Sequence, residues 1–240
     1  VSYNKMLERL SEAFKIQRQF TENAAHELRT PLSLMQIQLD LYNSGKHPGN
    51  DADTIQTIKM VTEQNERLSK MVKTLLDMSE LQTVGRDETI IVNALIDEVL
   101  ADLEPLAQEK NIKLIGKCKD VNMVGSDILI YRLVYNLVEN AIKYNHSGGQ
   151  VLVEAYQREK QVYLSVEDTG SGIPEELKER VFEPFFRVDK SRSRELGGVG
   201  LGLALVNEIV RVHDGSIAIR PNPSGGTIIE VQFAVNRTTA

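Results

Sequence analysis

Along the first third of the chain, apolar side chains recur every three to four positions without strand-like alternation. Met6, Leu7, Leu10 and Phe14 are followed by Phe20, Ala24, Leu28, Leu32, Met35 and Leu39. A cluster of turn formers, Ser44-Gly45-Lys46-His47-Pro48-Gly49-Asn50, interrupts the pattern. It resumes through Ile55, Ile58, Val61, Asn65, Leu68, Met71, Val72, Leu75, Leu76 and Met78. Two long helices joined by a short turn make an antiparallel hairpin. Two helices alone build a thin core, and pairing with a second copy into a four-helix bundle would bury both stripes better.

Around Thr83 to Glu88 the period changes, which places a boundary between a helical hairpin at 1–83 and a second domain at 84–240. Thr89–Val92 reads as a strand, and Asn93 as the cap of a helix over Ala94–Gln108. Ile112–Lys117 and Val121–Val124 read as strands and Asp127–Tyr144 as a helix. Val151–Tyr156 and Gln161–Asp168 form a hairpin turning at Gln157–Lys160. Residues 169–199 read as a long glycine- and proline-containing segment with short helical pieces. Leu201–His213 is a helix, and Ser216–Arg220 pairs with Thr227–Ala234 across Pro221–Gly226. The expected fold class is α+β: a two-helix hairpin forming a dimeric four-helix bundle, then a sandwich of three helices on a mostly antiparallel sheet.

Composition narrows the chemistry. The 240 residues carry 28 basic and 34 acidic side chains, a net charge of −6, which disfavours sequence-independent nucleic-acid binding. Cys118 is the single cysteine and cannot close an internal disulfide. It and the four histidines are scattered, without zinc-ligand spacing. No apolar run reaches the roughly 18 residues of a membrane span. The chain begins at Val1 and shows no signal peptide, so it reads as a soluble, reducing-compartment piece of something longer.

Four places could carry chemistry. In Ala25-His26-Glu27-Leu28-Arg29-Thr30-Pro31-Leu32, His26 and Thr30 share a helix face, and Pro31 should bend the helix. A neutral imidazole is a competent nucleophile near pH 7, and a neighbouring carboxylate can fix its tautomer or take its proton. An isolated His-Glu pair is more often a surface feature, but the whole string argues for a reactive histidine. On the helix at 127–144, Asn136, Asn140 and Lys143 form a polar stripe. Asparagine is a poor helix former, so the stripe is either a solvated face or a set of ligands for Mg²⁺ and phosphate. In the strand Gln161–Asp168, the period of two puts Asp168 on the apolar face, where it needs a donor such as the exocyclic amine of adenine. Gly170 and Gly172 follow and allow close backbone approach, although an ordinary strand-end turn has the same look. Finally, Gly197-Gly198-Val199-Gly200-Leu201-Gly202 opens a helix, where backbone N–H groups can bind phosphate or the run can serve as a hinge.

In this order the motifs resemble the catalytic core of a sensor histidine kinase. His26–Leu32 resembles the phosphoacceptor box, Asn136–Tyr144 the asparagine box, Asp168–Gly172 and Gly198–Gly202 the two glycine boxes. Phe182-Glu183-Pro184-Phe185-Phe186-Arg187 resembles the phenylalanine box. Ala25 stands where serine is common, and Val199 replaces a frequent serine or threonine. The resemblance implies a dimerising phosphotransfer hairpin and an ATP-binding domain of the gyrase, heat-shock-90 and MutL type. It assigns His26 as phosphoacceptor, Asn140 to Mg²⁺, Asp168 to adenine, Lys143 and Arg187 to phosphate, Tyr144 to base or ribose, and residues 183–200 to a lid. It implies transfer to an aspartate of a response-regulator receiver domain, homodimerisation through the hairpin, and a cytoplasmic position in a membrane receptor whose other parts reach the membrane. Family members often dephosphorylate their partner too, with the matching residue at Thr30, while Glu27 would serve the forward step. Two rival readings are an ATP hydrolase, which in related proteins uses a glutamate where this chain has Asn136, and a signalling scaffold, which usually lacks the histidine or glycines kept here.

Overall fold

The computed structural model describes residues 2–43, 51–81, 83–189 and 198–235. The turn expected at 44–50 and part of the expected lid, 190–197, lie outside the described residues. The chain forms two compact units, one holding Val1–Leu75 and the other Leu76–Leu196 and Gly200–Ala240.

The first unit is built on helices α1 (Ser2–Asn43) and α2 (Asp51–Glu80). Helix α1 runs uninterrupted through Pro31, which is buried. Proline lacks the N–H that would bond the Glu27 carbonyl. The Thr30 hydroxyl donates to the His26 carbonyl at 3.2 Å, so one acceptor of this turn gains a side-chain donor. Helix α2 carries Arg67, whose guanidinium lies 3.5 Å from the Glu27 carboxylate across the pair. One α1 stripe, including Phe20, Ala24, Leu28 and Met35, is half-buried. A second set stays open: Leu32, Ile37, Ile55 and Ile58 are each more than half exposed.

The second unit contains a short ribbon and a larger sheet. Strand β1 (Glu88–Ile91) pairs antiparallel with β3 (Asn122–Gly125). The five-stranded sheet has the order β2-β4-β5-β7-β6, with β2 (Lys113–Cys118), β4 (Gln150–Arg158), β5 (Gln161–Asp168), β6 (Ser216–Pro221) and β7 (Thr227–Ala234). Only β2–β4 is parallel. Helices α3 (Val92–Glu109), α4 (Asp127–Lys143) and α5 (Gly202–Val212) lie on one face. Alternation along β4 and β5 sends Val151, Val153, Ala155, Val162, Leu164 and Val166 into the core. They meet Leu133, Val134, Leu137 and Ile142 of α4. Met78, Leu81 and Val84 pack on the same core, so the end of α2 belongs structurally to this unit.

One expectation changes. Asn93 does not cap α3: the helix starts at Val92 after Ile91, without a side-chain cap, and the Asn93 amide instead donates to Asp120. Pro105 sits inside α3, which the pattern did not flag. The glycine-rich stretch after β5 holds two 3₁₀ turns, Glu175–Leu177 and Arg180–Phe182.

The entry to α4 is set by a histidine that composition alone left unassigned. His213, buried at the end of α5, accepts from the Ser126 N–H through Nε2 at 3.1 Å, while Nδ1 faces the Ile209 carbonyl at 2.9 Å. These partners require the neutral Nδ1–H tautomer. Gly125 lets the ring approach, since a Cβ there would lie 3.0 Å from it.

Candidate functional site

In the first unit, His26 is exposed on α1 with Thr30 one turn further along. Glu27 points to Arg67 rather than standing only as a neighbour of the imidazole. The Thr30 hydroxyl is engaged with the His26 carbonyl. That bond is the simpler of the two roles a threonine here could have.

In the second unit, residues far apart in the chain converge at the end of α4. Asn136 and Asn140 face Gly202: a Cβ on that glycine would be 3.0 Å from Asn136 Oδ1 and 3.6 Å from Asn140 Nδ2. The first turn of α5 therefore lies against the asparagine stripe because residue 202 has no side chain. Asn136 Nδ2 donates to the Arg132 carbonyl at 2.7 Å. Lys143 forms an ion pair with Glu139 at 2.9 Å. The Tyr144 carbonyl accepts from the Ser171 N–H at 3.2 Å, and a Cβ at Gly170 would reach that carbonyl at 2.4 Å. The glycine turn after β5 is thus seated on the end of α4.

Asp168 closes β5. Its Oδ1 accepts the Gly170 N–H at 2.8 Å and the Thr227 N–H at 3.3 Å. Burial pushes its carboxyl above the usual range, and those two amides pull it partly back. The Asp168 carbonyl accepts from Asn222 Nδ2 at 2.9 Å. Gly226, at φ 92°, passes so close that a Cβ would stand 2.2 Å from that carbonyl. The loop between β6 and β7 is therefore part of the aspartate's setting.

Gly200, at φ 78°, packs on the Phe185–Phe186 backbone, with the Phe185 N–H donating to the Gly200 carbonyl at 2.7 Å. Phe185 itself adopts φ 67°, and Arg180 stacks over the Phe186 ring at 4.4 Å. Arg187 follows, half-buried. Gly172, at φ 73°, lies against Gly226. Gly198 is half-buried and falls outside this compact unit.

Sequence reading missed several supports. Asn145 is buried and bonds Thr169 and the Gln150 carbonyl, tying the end of α4 to β4 and the glycine turn. By local pattern Asn222, Gly226 and Thr227 are only a turn and a strand start, yet all three meet Asp168. Paired glycines beside a strand whose partner ends in Asp168 were the available signal. Glu139 sits between the two asparagines in the chain and pairs with Lys143, which local spacing does not single out.

Two family models match the chain. The His Kinase A (phospho-acceptor) domain covers residues 16–84, and the histidine kinase-, DNA gyrase B- and HSP90-like ATPase domain covers 125–237. A phosphoacceptor hairpin followed by an ATPase-type nucleotide domain is the class that the fold and these matches define. The chain belongs to the sensor histidine kinase family. It is 35% identical over 240 residues to Sensor protein CutS of Streptomyces coelicolor, covering 98% of this chain and 56% of that protein. It is 32% identical over 241 residues to the signal transduction histidine-protein kinase ArlS of Staphylococcus aureus, covering 97% and 52%. The chain thus spans about half the length of these curated relatives. Histidine kinase ThkA, solved in complex with the response regulator protein TrrA, superposes with a TM-score of 0.76 at 26% identity, covering 98% of this chain and 66% of that one.

Proposed function

We propose that this chain is the catalytic part of a two-component sensor kinase that phosphorylates its own His26 from ATP and passes the phosphoryl group to a receiver aspartate. The observation that carries this reading is the convergence of Asn136, Asn140, Lys143, Asp168 and Gly170 at one end of the second unit, in a chain that also exposes His26.

Adenine recognition falls to Asp168. Its Oδ1 is held by two backbone amides, and among the described residues no donor reaches Oδ2, which can accept the exocyclic amine. Gly170 and Gly172 keep the approach to the base open, with Tyr144 beside it. Lys143, Arg187 and the backbone around Gly200 and Gly202 supply positive groups for phosphate, while Gly198 is assigned to phosphate by the resemblance alone. The amide stripe facing Gly202 suits Mg²⁺, a hard ion that keeps water and phosphate ligands and needs few protein oxygens, and Asn140 would hold it. When bound, that ion would offset the negative charge of the transferring phosphoryl group. The imidazole of His26 attacks in line, and Glu27 takes up or orients its proton, with Arg67 setting the carboxylate's direction. Asn136 offers an amide where a hydrolase would need a base, and its Nδ2 is engaged with Arg132.

The open apolar positions of the hairpin support homodimerisation through residues 1–83. The regulator bound to ThkA supports a receiver domain as partner. Among the described residues no helix is long and apolar enough to cross a membrane. The test is incubation with γ-labelled ATP and Mg²⁺, then with a receiver domain. Acid-labile label on His26, transferred to the receiver, is expected; label released only as free phosphate would overturn the reading.

A further inference from the structure

Asn136, Glu139, Asn140 and Lys143 share one face of α4: 136/139 and 140/143 are three residues apart, and 136/140 and 139/143 are four. Glu139 is the acidic member of that stripe. Its carboxylate lies 2.9 Å from Lys143 Nζ, and the two side chains are only 11% and 15% exposed. A carboxylate so shielded is costly to keep ionised without a cation beside it. Lys143 supplies that cation.

A nucleotide's phosphates bring negative charge to the same face. Lys143 then has two anionic claimants, and any gain from phosphate is offset by what it gives up at Glu139. The base is recognised elsewhere, at the end of β5, where Asp168 is held by Gly170 and Thr227 and has no bond to α4. Charge at Glu139 therefore acts on the phosphate end of the ligand and not on the adenine end.

We propose that Glu139 is a specificity-determining residue of this site: by holding Lys143 it lowers affinity for phosphate-bearing nucleotides relative to the bare nucleoside. This rests on the nucleotide reading given above. Its consequence is that the diphosphate left after phosphoryl transfer is bound less tightly than the positive groups alone would allow, which eases its departure.

Calorimetry on the full chain with adenosine and with ADP·Mg²⁺ tests it. Glu139→Gln should tighten ADP by roughly fivefold, the scale of a modest ion pair, and leave adenosine unchanged. In a Lys143→Gln background the same substitution should lose most of that effect, because the two residues form one coupled pair. Glu139→Asp, which keeps the charge, should stay near wild type. Glu139→Ala removes the charge by truncation and serves as the second variant should the glutamine form fail to fold. Equal changes for adenosine and ADP would mean a merely structural role and overturn the proposal. So would an undiminished effect in the Lys143→Gln background. Wild-type protein that binds neither ligand would overturn the nucleotide reading itself, whereas normal ADP binding insensitive to both Glu139 variants sinks this proposal alone.

Discussion

The hairpin and the nucleotide domain use apolar residues in opposite ways. In the second unit, side chains from three helices and a sheet close on one another, so that Ile130, Leu133, Val134, Leu137 and Ile142 of α4 are all buried. In the hairpin, Met71 is buried, yet Ile37, Ile55 and Ile58 are 52%, 65% and 60% exposed. A two-layer sandwich encloses a core within one chain, whereas two helices have only one mutual face. The difference separates the tasks: the second unit encloses its own core around its site, and the hairpin presents its histidine beside apolar positions left open, which the proposed dimer would cover.

The largest expected effect breaks the two regions apart. His26→Gln should abolish acid-labile labelling while ADP affinity, read by calorimetry, stays at the wild-type value. Residual acid-labile label in this variant would remove His26 from its role.

Asp168→Asn should do the reverse within the second unit. Losing a charged acceptor for the adenine amine costs about 1.5–3 kcal/mol, which is roughly a tenfold to hundredfold loss in affinity. Stability should move the other way. Burial raises the folded-state pKa of Asp168 above its unfolded value, so the native state holds the proton more tightly. Native stability contributed by this group therefore falls as pH rises from the ordinary aspartate range, about 3.9, through the raised folded value. The amide can still accept from Gly170 and Thr227 without bearing charge. Asp168→Asn should match wild type in acid and melt at the same or a higher temperature at neutral pH. Thermal melts across pH without nucleotide check this, and a variant less stable at neutral pH would contradict it.

Gly226→Ala sharpens the contrast on the stability side. The residue adopts φ 92° and its Cβ would lie 2.2 Å from the Asp168 carbonyl, so strain of about 1–3 kcal/mol is expected before any clash is relieved. Denaturant unfolding should show the loss in the second unit, together with weaker ADP binding. In the hairpin, Ile37→Asp with Ile58→Asp should halve the solution mass from about twice the 26.9 kDa chain mass and leave ADP affinity intact. Light scattering reads this directly, and an unchanged mass would place the dimer contact elsewhere.

The smallest effect concerns Thr30. Because its hydroxyl bonds the His26 carbonyl, Thr30→Ala should cost hairpin stability only about 1 kcal/mol. Should Thr30 also position water at a docked receiver, decay of phosphorylated regulator would slow with autophosphorylation preserved. Equal decay rates would leave it the structural role alone.

The linear sequence determined much of this protein because its signals are local. Helical periodicity marked the hairpin, and alternation marked β4 and β5. Helix spacing alone put Asn136, Asn140 and Lys143 on one stripe, and strand period put Asp168 on the inner face. What the tertiary structure decided are pairings between distant segments, for which no local period exists. Thr227 and Asn222 reach Asp168 only because β7 lies beside β5 in the sheet. Gly202 meets the asparagines only because α5 packs on α4, and His213 reaches Ser126 for the same reason. Glu27 finds Arg67 only when α2 folds back along α1. Local geometry follows from neighbouring residues, whereas the partner that satisfies a buried polar group is chosen by how the whole chain closes its core.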